Sequence, residues 1–197
     1  MELSKQQQKT KAFDNLLKLK EVLDFFKIDF MLDGGTLLGA YRDGDFCDDD
    51  HDDIDLTTID PVNDYMVLNI IEAMGKHGLA LYHYWKKGDQ GTAQISLVDE
   101  HNLKLDLMFK EVREDNGWWT IRQGKKLVYK KVPAKFYKEQ KRFEFKGFEF
   151  LIPYEVEDYL TYRYGDWKTP VHRKDFSCYT SDKAILGMNK FKEIKND

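Results

Sequence analysis

Gly34-Gly35-Thr36-Leu37-Leu38-Gly39-Ala40-Tyr41-Arg42, followed after an acidic loop by Asp53-Ile54-Asp55-Leu56, is the stretch that decides the fold. In the second segment acids alternate with aliphatic residues, which reads as a strand whose period of two sends both carboxylates to one face. Upstream, Phe30-Met31-Leu32 reads as a buried strand and residues 36–41 as a short helix. Gly34 and Gly35 then fall in the strand-to-helix turn. There the missing side chains let backbone N–H groups approach an anion, and the helix N-terminus adds partial positive charge. Downstream, Leu103-Lys104-Leu105-Asp106-Leu107-Met108-Phe109 reads as a second strand, with Leu103, Leu105, Leu107 and Phe109 on one face and Asp106 on the other. A carboxylate in that setting is costly unless paired or metal-bound.

These residue types suit phosphoryl transfer. Moving a phosphoryl group between oxygens requires neutralising its charge, lowering the pKa of the attacking hydroxyl and stabilising the leaving phosphate. Two divalent ions about 3.5–4 Å apart do all three. Hard ions such as Mg²⁺ or Mn²⁺ take carboxylate and phosphate oxygens and need few protein ligands. Asp53, Asp55 and Asp106 meet that need as catalytic metal ligands. Thr36 would cap the short helix or donate its hydroxyl to a phosphate, and Arg42 would be a second, bidentate anchor. Taken singly, a glycine pair before a helix is ordinarily only a turn, and Asp48-Asp49-Asp50-His51-Asp52-Asp53 is ordinarily a solvated loop. Their order carries more. A Gly-Gly turn, then Asp-aliphatic-Asp on a strand, then a third acid in a later strand resembles the nucleotidyltransferase superfamily, whose fold is similar to the polymerase-β palm.

A narrower resemblance rests on four segments in one order: residues 35–42, the Asp53-Ile54-Asp55-Leu56 strand, Lys104-Leu105-Asp106-Leu107, and Tyr159-Leu160 with Arg163-Tyr164-Gly165-Asp166-Trp167 and Pro170. Together, from about Leu16 to Pro170, they resemble the LicD family, which includes fukutin-related proteins. The resemblance implies an α+β nucleotidyltransferase fold with a mixed central sheet flanked by helices, spanning residues 1–197 as a single domain. It implies a phosphotransferase that takes a phospho-alcohol such as phosphocholine or ribitol phosphate from a CDP-linked donor and places it on a glycan or lipid-linked sugar hydroxyl. On the same basis Asp53, Asp55 and Asp106 are the metal-binding catalytic acids, Gly34, Gly35, Thr36 and Arg42 line the donor's pyrophosphate, and Tyr164-Gly165-Asp166-Trp167 shapes the site. The chain departs from the family's usual Pro-Trp-Asp-Asp-Asp-Ile-Asp: Asp50 stands where Trp is usual, His51 replaces the first acid, and the preceding loop is one residue longer. His51 reads as a solvated loop residue rather than a ligand or base.

The rest of the chain bounds these readings. With 197 residues, 42% apolar and 34% charged, it is long enough for a substantial core, and no apolar run approaches the roughly 20 residues that span a bilayer. The polar start, residues 1–11, lacks a secretory apolar segment, so the expected location is cytoplasmic, the inner face of the membrane included. A net charge of −4, with 31 basic and 35 acidic residues interspersed, gives no footprint for nucleic acid. The short basic clusters Lys125-Lys126, Lys130-Lys131 and His172-Arg173-Lys174 read as solvated faces. Cys47 and Cys178 read as reduced thiols; a zinc site from them with His51 and His172 fits no standard spacing.

Hydrophobic spacing predicts an amphipathic helix over residues 5–27, a helix over 65–76 announced by Pro61 and Asn63, and strands over 79–85, 92–98 and 103–109. A hairpin of residues 143–145 and 148–150 and a helix over 155–164 stopped by Gly165 complete the prediction. Two alternatives stay open beside the phosphotransferase: a nucleotidyltransferase moving a nucleoside monophosphate from an NTP to a small hydroxyl compound, and a catalytically inactive cation-binding or interaction domain.

Overall fold

The structure is a computed structural model that describes residues 3–87, 91–123 and 126–171. Helix α1 (Lys5–Phe26) starts at a reciprocal cap between Ser4 and Gln7 and ends where Lys27 turns left-handed. Strand β1 (Met31–Leu32), helix α2 (Gly34–Asp43), strand β2 (Asp53–Thr58) and helix α3 (Asp64–Lys76) follow. The Asn63 side chain caps α3 by accepting from the Met66 N–H. Next come β3 (Ala80–Lys86), β4 (Thr92–Val98), β5 (Lys104–Phe109), β6 (Glu111–Arg113), β7 (Asn116–Gln123), β8 (Lys126–Pro133), the one-turn helix α4 (Lys135–Lys138), β9 (Gln140–Phe145), β10 (Phe148–Pro153) and α5 (Val156–Tyr164).

Seven strands form a mixed sheet in the order β3-β4-β5-β2-β1-β10-β9, with β2 parallel to β5, β1 parallel to β10 and the remaining pairs antiparallel. Alternation sorts its two faces. Ile54, Leu56, Leu105, Leu107, Ile95 and Leu97 are fully buried, and α1 packs on β2 and β5 while α3 packs on β4. Leu16, Leu19 and Leu23 of α1 belong to this core. The opposite face of β2 and β5 carries Asp53, Asp55, Lys104 and Asp106, all only partly buried. That polar face is where the site lies. Among the described residues no helix is long and apolar enough to cross a membrane.

One expectation needs correction. The turn assigned to Gly34 and Gly35 is already helix, because Asp33, extended at φ −140°, caps α2: its side chain accepts from the Gly34 N–H and its carbonyl accepts from the Leu37 N–H. The second sheet, β6-β7-β8, has no counterpart among the strands expected from the sequence, since neither β7, with Trp118 beside Trp119, nor β8, with Lys130 beside Lys131, alternates cleanly. Lys126, Lys130 and Lys131 of the basic clusters sit on β8. Lys125, His172, Arg173, Lys174 and Cys178 lie outside the described residues, and with them the zinc alternative.

Candidate active site

The parallel register of β2 and β5 sets Asp55 beside Asp106 and Asp53 beside Lys104. One carboxylate oxygen from each of Asp53, Asp55 and Asp106 lies within 4.8 Å of the other two. Each acid also has one oxygen held by the protein. Lys104 Nζ donates to Asp53 Oδ2 at 2.7 Å, Gln94 Nε2 donates to Asp106 Oδ2 at 2.7 Å, and the Gly35 N–H donates to Asp55 Oδ2 at 3.1 Å. Asp53 Oδ1 and Asp106 Oδ1 are buried and have no hydrogen-bond partner among the described residues. Two anionic oxygens without a donor are expensive for a fold to keep.

Electrostatics report the same crowding. Burial, then the charge of Asp53, pushes the Asp106 carboxyl up to about 6. Burial and the charges of Asp53, Asp106 and Asp50 raise Asp55 well above the usual carboxylate range, against the lowering effect of Arg163. Lys104 is kept charged despite its burial by its hydrogen bond to Asp53 and by the surrounding acids. Protons and a divalent cation would compete for a cluster of this kind. Any stabilisation by Mg²⁺ or Mn²⁺ bound there is therefore expected to be smaller at about pH 5 than at about pH 7.5, a difference that thermal unfolding across that range would follow.

The glycines make the cluster possible by leaving space. A Cβ on Gly34 would sit 1.9 Å from Asp55 Oδ2, and one on Gly35 would sit 1.8 Å from Asp50 Oδ2. Gly34 also has φ +54°, where an L side chain is strained. A Cβ on Gly39 would strike the backbone of Asp45 and Cys47, so that glycine lets the acidic loop cross α2. Gly34→Ala is expected to cost roughly 1–3 kcal/mol, from the backbone conformation and the displaced carboxylate, and to blunt the response to divalent cations; urea unfolding with and without Mg²⁺ measures both.

Of the residues assigned to the donor, Gly35 and Arg42 line the cleft beside the acids, whereas Gly34 and Thr36 are buried beneath it. The Gly34 and Gly35 N–H groups are directed at Asp33 and Asp55. The Thr36 hydroxyl accepts from the Asp55 N–H at 2.9 Å, so Thr36 locks β2 to α2 and Asp33 takes the capping role instead. Arg42 makes a two-pronged contact with Asp43, at 2.8 and 2.7 Å, and donates to the Trp167 carbonyl at 3.2 Å, tying α2 to the segment after α5.

His51 is buried rather than solvated: Nδ1 lies 2.8 Å from the Asp48 carbonyl and Nε2 lies 2.7 Å from the Gln8 side chain, pinning the acidic loop to α1. Lys9 holds the same loop through Asp45 and Asp48 at 2.9 and 2.8 Å. The Cys47 thiol, pushed up to about 11 by burial, donates to the Gly35 carbonyl and is a packing group.

Sequence reasoning missed Asp33. Buried under α2, it pairs with Lys110 and with Arg163 Nη1 at 2.6 Å and accepts from the hydroxyls of Thr57 and Tyr159 at 2.6 and 2.5 Å. Burial alone would raise its carboxyl, but Lys110 and Arg163 hold it well below the usual carboxylate range. Arg163 is thereby fixed where it lines the cleft together with Tyr164. The available signal was an Asp directly before a helix, the position of an N-cap. Lys104, Gln94 and Ser96, which also line the cleft, gave no signal beyond lying on the polar face of their strands. The cleft encloses about 1250 Å³.

Residues 27–155 match the family model described as LicD/FKTN/FKRP, nucleotidyltransferase domain, which is most of the chain. The chain belongs to the LicD family. The match includes Asp53, Asp55 and Asp106 and ends before Tyr159–Pro170, so the closing segment of this LicD-family protein is tied to the site by geometry rather than by the family match. The crystal structure of the lincosamide antibiotic adenylyltransferase LnuA with lincomycin bound is similar in fold, with a TM-score of 0.50 and 15% identity over 75% of this chain and 83% of that one. The LicD-family chain thus has the expected α+β nucleotidyltransferase fold and is a transferase. No curated protein matches it by sequence.

Proposed function

We propose that this LicD-family protein is a metal-dependent phosphotransferase that moves a phospho-alcohol from a CDP-linked donor to a sugar hydroxyl and releases CMP. The observation that carries this reading is the cluster of Asp53, Asp55 and Asp106, two of whose carboxylate oxygens are buried without a hydrogen-bond partner among the described residues. Every candidate ligand there is a carboxylate oxygen, which fits Mg²⁺ or Mn²⁺ rather than a softer metal. Divalent ions bound there would neutralise the transferred phosphoryl group and lower the pKa of the attacking hydroxyl.

The remaining work falls to side chains. Gly35, without a Cβ, leaves room for Asp50 beside the acids, and Arg42 and Arg163, paired with Asp43 and Asp33, present guanidinium groups along that wall of the cleft. Asp106, in the cluster beside Asp55, is the carboxylate that accepts the proton of the entering hydroxyl. Gln94 and Lys104 keep Asp106 and Asp53 in one orientation while charge moves.

A nucleoside monophosphate transfer from an NTP uses the same acids, and the cleft has room for an NTP. Thermal unfolding with CDP-choline, CDP-ribitol, CDP-glycerol, CTP and ATP, each with and without Mg²⁺, separates the two. A Mg²⁺-dependent rise in midpoint with a CDP-alcohol is expected. A rise with NTPs alone would replace this reading with nucleotidyl transfer, and no nucleotide response would point to an inactive cation-binding domain.

A further inference from the structure

The polar face of the sheet continues past the acids to its edge. Asp55, Asp106, Ser96 and His83 are successive cross-strand partners on β2, β5, β4 and β3, and Thr57, Met108, Gln94 and Trp85 form the adjacent row. Cross-strand partners project to the same side of a sheet, and Asp106, Ser96, Gln94, His83 and Trp85 all line the cleft. With strands about 4.8 Å apart, the His83 backbone lies roughly 10 Å from that of Asp106. His83 stacks obliquely on Trp85, with ring centroids 5.2 Å apart, and on Tyr82, 4.1 Å apart. A register shift between Leu81 and His83 sets this aromatic group on the cleft side of an edge strand.

The two flanks of the acid cluster differ in chemistry. On the side of β2, β1 and β10 lie α2 with Arg42 and α5 with Arg163, which line the cleft paired with Asp43 and Asp33 and are the guanidinium groups suited to a leaving phosphate. Toward β4 and β3 lie neutral hydrogen-bonding groups and then aromatic rings. In-line displacement brings the entering oxygen from the side opposite the leaving group, so the entering hydroxyl belongs on the β4–β3 flank. The negative face of an aromatic ring attracts the electropositive C–H groups of a saturated ring, and the polar side chains of Gln94 and Ser96 lie on β4 between these rings and Asp106.

We propose that Trp85 and His83, with Gln94 and Ser96, form the acceptor subsite and take the C–H face of a sugar ring. The assignment of this flank to the acceptor rests on the phosphotransferase reading above; the binding of a sugar to it does not. The test is saturation-transfer NMR on the full chain, with methyl glycosides of galactose, N-acetylglucosamine and mannose as probes and CDP-choline with Mg²⁺, CMP and choline as separate arms. At least one glycoside is expected to receive saturation at its ring C–H protons. Trp85→Ala should weaken it by at least about tenfold, while Trp85→Phe, which keeps a stacking ring, retains it. The thermal midpoints of both variants show that the edge strand is intact, and the CDP-choline arm should be the same in all three proteins. Absence of glycoside binding, or equal binding by wild type and Trp85→Ala, would overturn the proposal. So would loss of the CDP-choline, CMP or choline response in Trp85→Ala, which would make the rings a donor shelf. If wild type binds a glycoside through Trp85 but gives no Mg²⁺-dependent response to CDP-choline, the sugar subsite stands and the donor reading fails.

Discussion

Asp55→Asn is expected to lower turnover by more than the roughly 10–100-fold typical of a lost metal-supporting contact, and to do so without destabilising the protein. The two effects separate because of where Asp55 lies. Its carboxylate is buried among Asp53, Asp106 and Asp50, so its ionisation is opposed in the absence of a cation. Asparagine carries no charge and can still accept from the Gly35 N–H, so the midpoint measured in EDTA should hold or rise. The same variant should lack the stabilisation by Mg²⁺ that is expected of wild type. A variant that unfolded more easily in EDTA and kept its cation response would remove Asp55 from the metal site. Asp53→Asn tests the same idea less cleanly, since it also alters the pairing of Lys104.

The largest effect on stability is expected from Asp33→Ala. Truncation leaves the fully buried Lys110 ammonium without its carboxylate and loosens Arg163 and the hydroxyls of Thr57 and Tyr159. Breaking one side of a buried pair typically costs about 3–5 kcal/mol, which corresponds to a fall in midpoint on the order of 10 °C for a domain of this size. Because the Asp33 carboxyl is held below its ordinary value, its contribution is present above the unfolded-state pKa of about 3.9 and is lost as pH falls toward the folded-state value. Wild type should therefore lose stability in strong acid through this group. Asp33→Ala, lacking the contribution at every pH, should show a shallower acid limb in urea unfolding between about pH 4 and pH 2. Equal acid limbs would show that Asp33 is not the group that matters there.

How far the sequence could be read follows the physics of each element. Asp53-Ile54-Asp55 and Leu105-Asp106-Leu107 were legible because alternation on a strand fixes both the element and the face, and the parallel register of β2 with β5 then brings the three acids together. The long helices were legible from apolar spacing and caps. Gly34 and Gly35 were noticed for a sound reason and given the wrong local structure. A glycine pair announces a close backbone approach but does not say to what, and here the close neighbours are the protein's own carboxylates.

His51 and Asp33 were illegible for a different reason. Their partners, Gln8 for the first and Lys110, Tyr159 and Arg163 for the second, are far away in sequence, and a polar residue's burial is set by partners that no local pattern reveals. The β6-β7-β8 sheet escaped because its strands lack the alternation that a half-buried sheet imposes. The aromatic shelf of His83 and Trp85 was readable as strand but not as site. Its place beside Ser96 and Gln94 depends on a bulge and on strand order.

The most direct test of the central claim is ³¹P NMR of the purified protein with a CDP-alcohol, Mg²⁺ and a glycoside acceptor, run beside Asp55→Asn and an EDTA control. CMP appearing together with a phosphodiester on the sugar, only with wild type and only with the divalent cation, is the expected result. No CMP from the CDP-alcohol while parallel reactions with CTP or ATP release pyrophosphate, or transfer that persists in EDTA or in Asp55→Asn, would contradict a metal-dependent phosphotransferase built on Asp53, Asp55 and Asp106.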